Sequence, residues 1–214
     1  MIPSLAGMNI VCFDLEIKEP IQGEVTWNRH DLMGISVGVL YDWLTDEFKV
    51  YMDDNLPELA ERLAAADLVT GFNISDFDIP LVRATLKAPD LNLKVYDPLY
   101  WHRQALGGSK FIKGLKLDDH LYGTFGKEHM KTGNGADAPL WWKGGQIGRL
   151  VSYCIDDVKR EAKLFDHIWK GLPVTTPLNG TNHLFPPYEA LCMLNPGKYA
   201  PLLPASALLD EPAI

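Results

Sequence analysis

Ile10-Val11-Cys12-Phe13-Asp14-Leu15-Glu16-Ile17 is a run of strand-forming residues that carries two acids. Val11, Phe13, Leu15 and Ile17 favour an extended chain, and neither glycine nor proline interrupts them. Side chains alternate along a strand, so Asp14 and Glu16 project from one face, a single step apart. Two carboxylates that close repel by about 1 to 4 kcal/mol, depending on the local dielectric. A divalent cation between them offsets that repulsion. An edge strand with two acids on its outer face explains the same pattern, so Asp-x-Glu by itself leaves both readings open.

Working outward, residues 18–31 contain Pro20, Gly23 and mixed polar residues and read as a loop. Leu32–Tyr41 predicts a second strand, 42–46 a turn, and Glu47–Tyr51 a third strand, together an antiparallel meander. A helix is expected from Leu56 to about Ala66 with Pro57 in its first turn, then a buried strand over Leu68–Phe72. A second helix is expected from Asp78 or Ile79 to Lys87, and a strand over Leu93–Leu99. This alternation implies parallel crossovers, so the fold class is α/β, a mixed sheet flanked by helices. Residues 107–116 form a glycine-rich basic loop, Leu117–Phe125 a short helix stopped by Gly126, and 127–145 an ordered loop. Gln146–Trp169 carries the strongest helical periodicity. Eight of the fifteen prolines fall after residue 170. The expected organisation is a domain over 1–170 and a proline-rich extension over 171–214 that packs on the body or on a partner.

The 214 residues suffice for one domain with a substantial core, and no apolar run approaches membrane-spanning length. The start, Met1-Ile2-Pro3-Ser4, lacks a basic segment followed by an apolar one, so secretion is not expected. Three cysteines without zinc-site spacing, two of them (Cys12 and Cys154) in core elements, suggest reduced thiols and a cytoplasmic location. A net charge of −8 argues against a protein that coats nucleic acid electrostatically. It is compatible with an enzyme that grips a few nucleotides beside an acidic, metal-binding centre.

Two further stretches carry chemistry. In Gly71-Phe72-Asn73-Ile74-Ser75-Asp76-Phe77-Asp78-Ile79-Pro80 a strand gives way to a helix, so Asp78 or Asp76 could be a helix cap as readily as a site residue. In Tyr153-Cys154-Ile155-Asp156-Asp157, Tyr153 and Asp157 stand four apart on one helical face, at the rim of the apolar stripe. A solvated Asp beside a half-buried Tyr would look the same.

Asp14-x-Glu16, Asn73-x-x-x-Phe77-Asp78 and Tyr153-x-x-x-Asp157, in this order, resemble the DEDD superfamily of 3′–5′ exonucleases, which have a ribonuclease H-like fold. Tyr four residues before the last Asp resembles the DEDDy branch, which includes the exonuclease domains of family B DNA polymerases. The other branch carries His five residues before that Asp, where this chain has Ser152. Asp97-Pro98-Leu99, Leu115-Lys116-Leu117-Asp118 and Gly135-Ala136-Asp137-Ala138-Pro139-Leu140-Trp141 are similar to stretches of stand-alone bacterial and phage relatives. The resemblance covers residues 8–170. One departure is Ile17, where many relatives have Thr after the first Glu.

The resemblance implies that Asp14, Glu16, Asp78 and Asp157 hold two Mg²⁺ or Mn²⁺ ions and that Tyr153 orients the attacking water. Hard oxygen donors suit these ions better than Zn²⁺. Leu15, Asn73 and Phe77 would touch the terminal nucleotide, and Lys110 and Lys113 on the basic loop would follow phosphates. The substrate would be the 3′ end of single-stranded DNA. RNA is the alternative with the same site, and a catalytically silent module that binds nucleic acid is a third reading. A polymerase or helicase is a further possible partner, docked through the extension; no membrane partner is expected.

Overall fold

The computed structural model describes residues 4–130 and 133–178. Five strands form one sheet in the order β3-β2-β1-β4-β5: β1 (Ile10–Ile17), β2 (Ile35–Asp42), β3 (Glu47–Tyr51), β4 (Leu68–Thr70) and β5 (Val95–Tyr96). The meander is antiparallel (β1 with β2, β2 with β3), while β1–β4 and β4–β5 are parallel, as the alternation of elements predicts. The chain therefore builds outward from β1 on one side, then crosses to its other side. In open sheets such a switch of direction leaves a crevice beyond the strands' carboxyl ends.

Alternation along β1 feeds two cores. Val11, Phe13, Leu15 and Ile17 pack with α2 (Leu56–Ala65) and α3 (Asp78–Thr85). Ile10 and Cys12 face the other layer, built mainly by α5 (Leu117–Phe125), α6 (Ala138–Lys143) and α7 (Ile147–Trp169). Asp14 and Glu16 continue that second face towards α7. Register slips once, between Glu16 and Ile17: Glu16 lies opposite Val37 and Ile17 opposite Ile35, which leaves Ser36 as the extra residue. Such a bulge changes which face the following side chains take, and it falls beside the two acids.

Several boundaries differ from the sequence reading. The loop after β1 ends in a turn of helix, α1 (His30–Met33), so β2 starts at Ile35 rather than Leu32. The expected strand over 93–99 shrinks to two residues because Asp97 caps a further helix, α4 (Pro98–Ala105). Its carboxylate accepts from the Leu99 and Tyr100 amides, and Pro98 occupies the first turn, where its missing N–H costs nothing. The expected loop over 127–145 contains two single-turn 3₁₀ helices (Lys127–His129 and Gly135–Asp137) and α6, which Pro139 opens.

Residues 171–178, the described start of the extension, lie against the body. Val174 and Thr176 are fully buried. The Thr175 amide donates to Thr124 Oγ1 at 3.2 Å, and that hydroxyl donates to the Thr175 carbonyl at 3.3 Å. Gly123 permits this approach: a Cβ there would stand 2.1 Å from the Thr175 carbonyl oxygen. The remainder of the extension, with Cys192, lies outside the described residues. Cys12 and Cys154 are free thiols and buried. No helix among the described residues is long and apolar enough to cross a membrane.

Candidate active site

A cleft of about 1190 Å³ opens at the carboxyl end of β1. Asp14, Glu16, Asp78, Tyr153 and Asp157 all line it. One carboxylate oxygen each from Asp14, Glu16 and Asp157 lies within 4.8 Å of the other two, although 143 positions separate the first residue from the last. β1 supplies two of them by its period of two, and α7, packed across that face, supplies the third. Glu16 and Asp157 are buried and Asp14 is partly so, which rules out the reading of a solvated outer face. Arg160, a turn further along α7, sits 3.4 Å from Asp157 Oδ1.

Asp78 arrives from the opposite layer. It is the first residue of α3, whose following residues Ile79, Leu81 and Val82 belong to the core shared with α2. It is not the cap: that position belongs to Phe77, and no side chain caps the helix. Asp78 stands outside the tight trio, yet it reaches the cleft and is 97% buried. Burial first, then the charges of Asp14 and Asp97, push its carboxyl well above the ordinary range, while the amides of Asp78 and Leu15 offset part of this. Its Oδ1 has no hydrogen-bond partner among the described residues. A buried carboxylate oxygen without a partner is costly to a fold unless something else binds it.

The donor set therefore fits a hard divalent cation: clustered carboxylates, a buried orphan oxygen beside them, and no sulfur or imidazole ligand in the trio. Cys154 is close by but plays another part. Its thiol donates to the Asp14 backbone oxygen at 3.5 Å and to Asp14 Oδ2 at 3.7 Å. Burial, followed by the charges of Asp14, Glu16, Asp157 and Glu161, raises the thiol well above its usual value and so keeps it protonated. A neutral S–H donor steadies Asp14 without adding a charge.

Tyr153 is buried one helical turn before Asp157. Its ring meets Trp141 of α6 edge-on, with centroids 5.3 Å apart. Gly133 and Gly135 close over it: a Cβ at Gly133 would come within 2.9 Å of the ring, and one at Gly135 within 3.6 Å of the hydroxyl. Trp141 thus braces Tyr153 from α6.

The loop between β4 and α3 carries Asn73 and Phe77, and both line the cleft. Asn73 adopts a left-handed backbone (φ 68°), which Asn tolerates better than most residues. Asp97 holds the loop: its Oδ1 accepts from the Asn73 amide and its Oδ2 from the Ser75 amide, each at 3.0 Å. Asp97 thus ties this loop to the first turn of α4, a role that its position before Pro98 signals only as a cap. Leu15 also lines the cleft, but its side chain is buried and belongs to the core under α2, on the face opposite the two acids.

Lys113 is exposed on the cleft's far wall, whereas Lys110 is not among the cleft's lining residues. Lys110 pairs with Asp76 at 2.9 Å, and Arg103 of α4 pairs with the same carboxylate at 3.0 Å. Asp76, the rival of Asp78 in the sequence, is therefore a surface ion-pair hub. Gly114 of this basic loop rests on Leu178 of the extension; a Cβ there would lie 2.5 Å from the Leu178 Cβ. His102 is fully buried, with its Nδ1 2.7 Å from His120 Nε2.

No protein-family model and no curated protein matches the chain. Among solved structures, the chain is similar to the family B DNA polymerase from the hyperthermophilic archaeon Pyrobaculum calidifontis, at a TM-score of 0.53 and 15% identity. The match covers 76% of this chain and 25% of that polymerase, so this chain spans about a quarter of its length. At that identity the likeness is one of fold: an α/β, ribonuclease H-like arrangement of a mixed five-stranded sheet between helices.

Proposed function

We propose that this chain is a divalent-metal-dependent 3′–5′ exonuclease of the DEDDy type that shortens single-stranded DNA. The observation that carries the proposal is the convergence of Asp14, Glu16 and Asp157 in a cleft that Asp78 and Tyr153 also line. The likeness to a family B DNA polymerase agrees with it.

In this reading Asp14, Glu16 and Asp157 would hold the catalytic metal, and Asp78, with its buried unpartnered oxygen, would support a second ion. Mg²⁺ or Mn²⁺ held there would supply positive charge against the phosphodiester and lower the pKa of a water. The chain's own groups fix the geometry. Helix α7 sets the distance between Tyr153 and Asp157, and the Cys154 thiol steadies Asp14. The Tyr153 hydroxyl, braced by Trp141, orients the attacking water for in-line displacement. Asn73 and Phe77 form the contact surface for the terminal nucleotide, joined by the part of Leu15 that lines the cleft. Lys113 meets a phosphate directly, and Lys110 does so once it leaves Asp76.

The test is digestion of a 5′-labelled single-stranded oligodeoxynucleotide. Products that shorten one nucleotide at a time from the 3′ end, with Mg²⁺ or Mn²⁺ and not with EDTA, are expected. Release of the label as a short 5′ fragment, or no cleavage with either ion, would overturn the proposal. A matched RNA strand in parallel reports which sugar the site accepts.

A further inference from the structure

Six tryptophans occur in the chain, and all lie in described segments. Five are buried or partly buried, while Trp27 is 69% exposed. Tryptophan has the most apolar area to hide, so one left in solvent needs a reason. Its position supplies one. Trp27 stands on the rim of the cleft that holds the four acids, in the loop between β1 and α1.

The ring is presented by a built turn. The Arg29 amide donates to the Thr26 carbonyl at 2.8 Å, and the Thr26 hydroxyl donates to Asn28 Oδ1 at 2.7 Å. Arg29 closes the turn with two bonds to Asp31, at 2.9 and 2.8 Å. On its inner side Trp27 meets Phe77 edge-on, with centroids 5.7 Å apart, and Phe77 is braced in turn by His30 at 5.8 Å. Burial pushes the His30 imidazole down, so a neutral ring backs this stack. Pro20 and Ile21, of the same loop, also line the cleft. An exposed aromatic face on the rim of a cleft that also holds a carboxylate centre suits a nucleotide whose base lies flat on the ring.

We propose that Trp27 is a base-stacking platform: an unpaired nucleobase of the bound strand lies on its exposed face, with Phe77 behind. The inference rests on the exonuclease reading and adds a subsite to it. A base locked in a duplex cannot present its face in this way, so the platform selects for single strands.

The test is binding of a fluorescein-labelled oligodeoxythymidylate, followed by anisotropy with Ca²⁺ in place of Mg²⁺. Thermal melting of each variant serves as a folding control. Trp27→Ala is expected to weaken binding about 10-fold, within the range measured for loss of one stacked base, and Trp27→Phe to restore most of it. A strand with abasic sites over its last four 3′ positions should bind the wild type and Trp27→Ala equally, because no base remains there to stack. Unchanged binding of the normal strand by Trp27→Ala, or an equal loss on the abasic strand, would overturn the platform. If the wild type shortens DNA from the 3′ end while Trp27→Ala binds normally, the platform alone fails. If the wild type neither binds nor shortens any strand, the exonuclease reading fails and takes the platform with it.

Discussion

The two walls of the cleft are built on opposite principles. On one side Asp14, Glu16 and Asp157 come from the central strand and the longest helix, packed into the core around Cys12, Cys154 and Val158. On the other, the basic loop over 107–116 is mostly exposed, with Phe111 at 95%. It is tied down at Asp76, which takes Lys110 and Arg103, and at Leu178, which lies against Gly114. The acidic wall suffers charge repulsion and desolvation in advance, and core packing holds it in place regardless. The basic wall leaves Lys113 exposed to water and Lys110 held at the surface by Asp76. On the proposed exonuclease reading, a centre that holds ions in fixed positions needs the first arrangement, and a surface that releases each shortened strand is served by the second.

If this division is right, substitutions should sort by wall. Asp14→Ala or Asp157→Ala should reduce single-turnover cleavage by at least about 10³-fold, as loss of a group that acts with its partners does. The melting temperature of the metal-free protein should hold or rise, because a repelling charge has gone. A collapse of folding would make these acids structural and break the contrast. Asp78→Asn should cost on the order of 10²-fold in rate and stabilise the metal-free protein by about 1–3 kcal/mol, since a buried unpaired charge is removed. The sign of its pH dependence follows from the raised carboxyl. The folded state keeps that proton to higher pH than the unfolded state does, so stability from this group is lost as pH rises from the ordinary carboxyl range. Melts in EDTA should therefore show the wild type losing more stability than Asp78→Asn between pH 5 and pH 7.5.

Tyr153→Phe sharpens the comparison on the acidic side. Cleavage should slow by about 10-fold with metal affinity kept, because the lost hydroxyl positions water and does not ligate. A variant that no longer binds Mn²⁺ in a calorimetric titration would contradict that role. The smallest effects belong to the basic wall. Lys113→Ala should raise KM about 2- to 3-fold and lower the salt slope of single-strand binding by about 0.7, the share of one phosphate contact. Lys110→Ala should do less, because Asp76 already holds that ammonium.

The same division governs what the sequence discloses. The acidic wall is readable because its residues obey a period: two for Asp14 and Glu16 on a strand, about four for Tyr153 and Asp157 on a helix. The mixed sheet follows from the order of strand and helix patterns. Depth is not readable: Asp157 looks like a rim residue on its helix, yet it is 1% exposed, facing β1 in the layer that α6 also covers. Asp78 and Asp76 are equivalent caps on paper. Tertiary contacts separate them, burying one in the cleft and giving the other to Arg103 and Lys110. Trp27 sits in a loop of no evident pattern, and Asp97 shows only as half of an Asp-Pro helix start. Both act through neighbours distant in sequence, which no local spacing records.

The most direct test of the central claim is the anomalous scattering of a crystal of this chain soaked in Mn²⁺. Two peaks bounded by the carboxylates of Asp14, Glu16, Asp78 and Asp157 are the result this account expects. Occupied Mn²⁺ sites elsewhere on the molecule with none between these four side chains would contradict it.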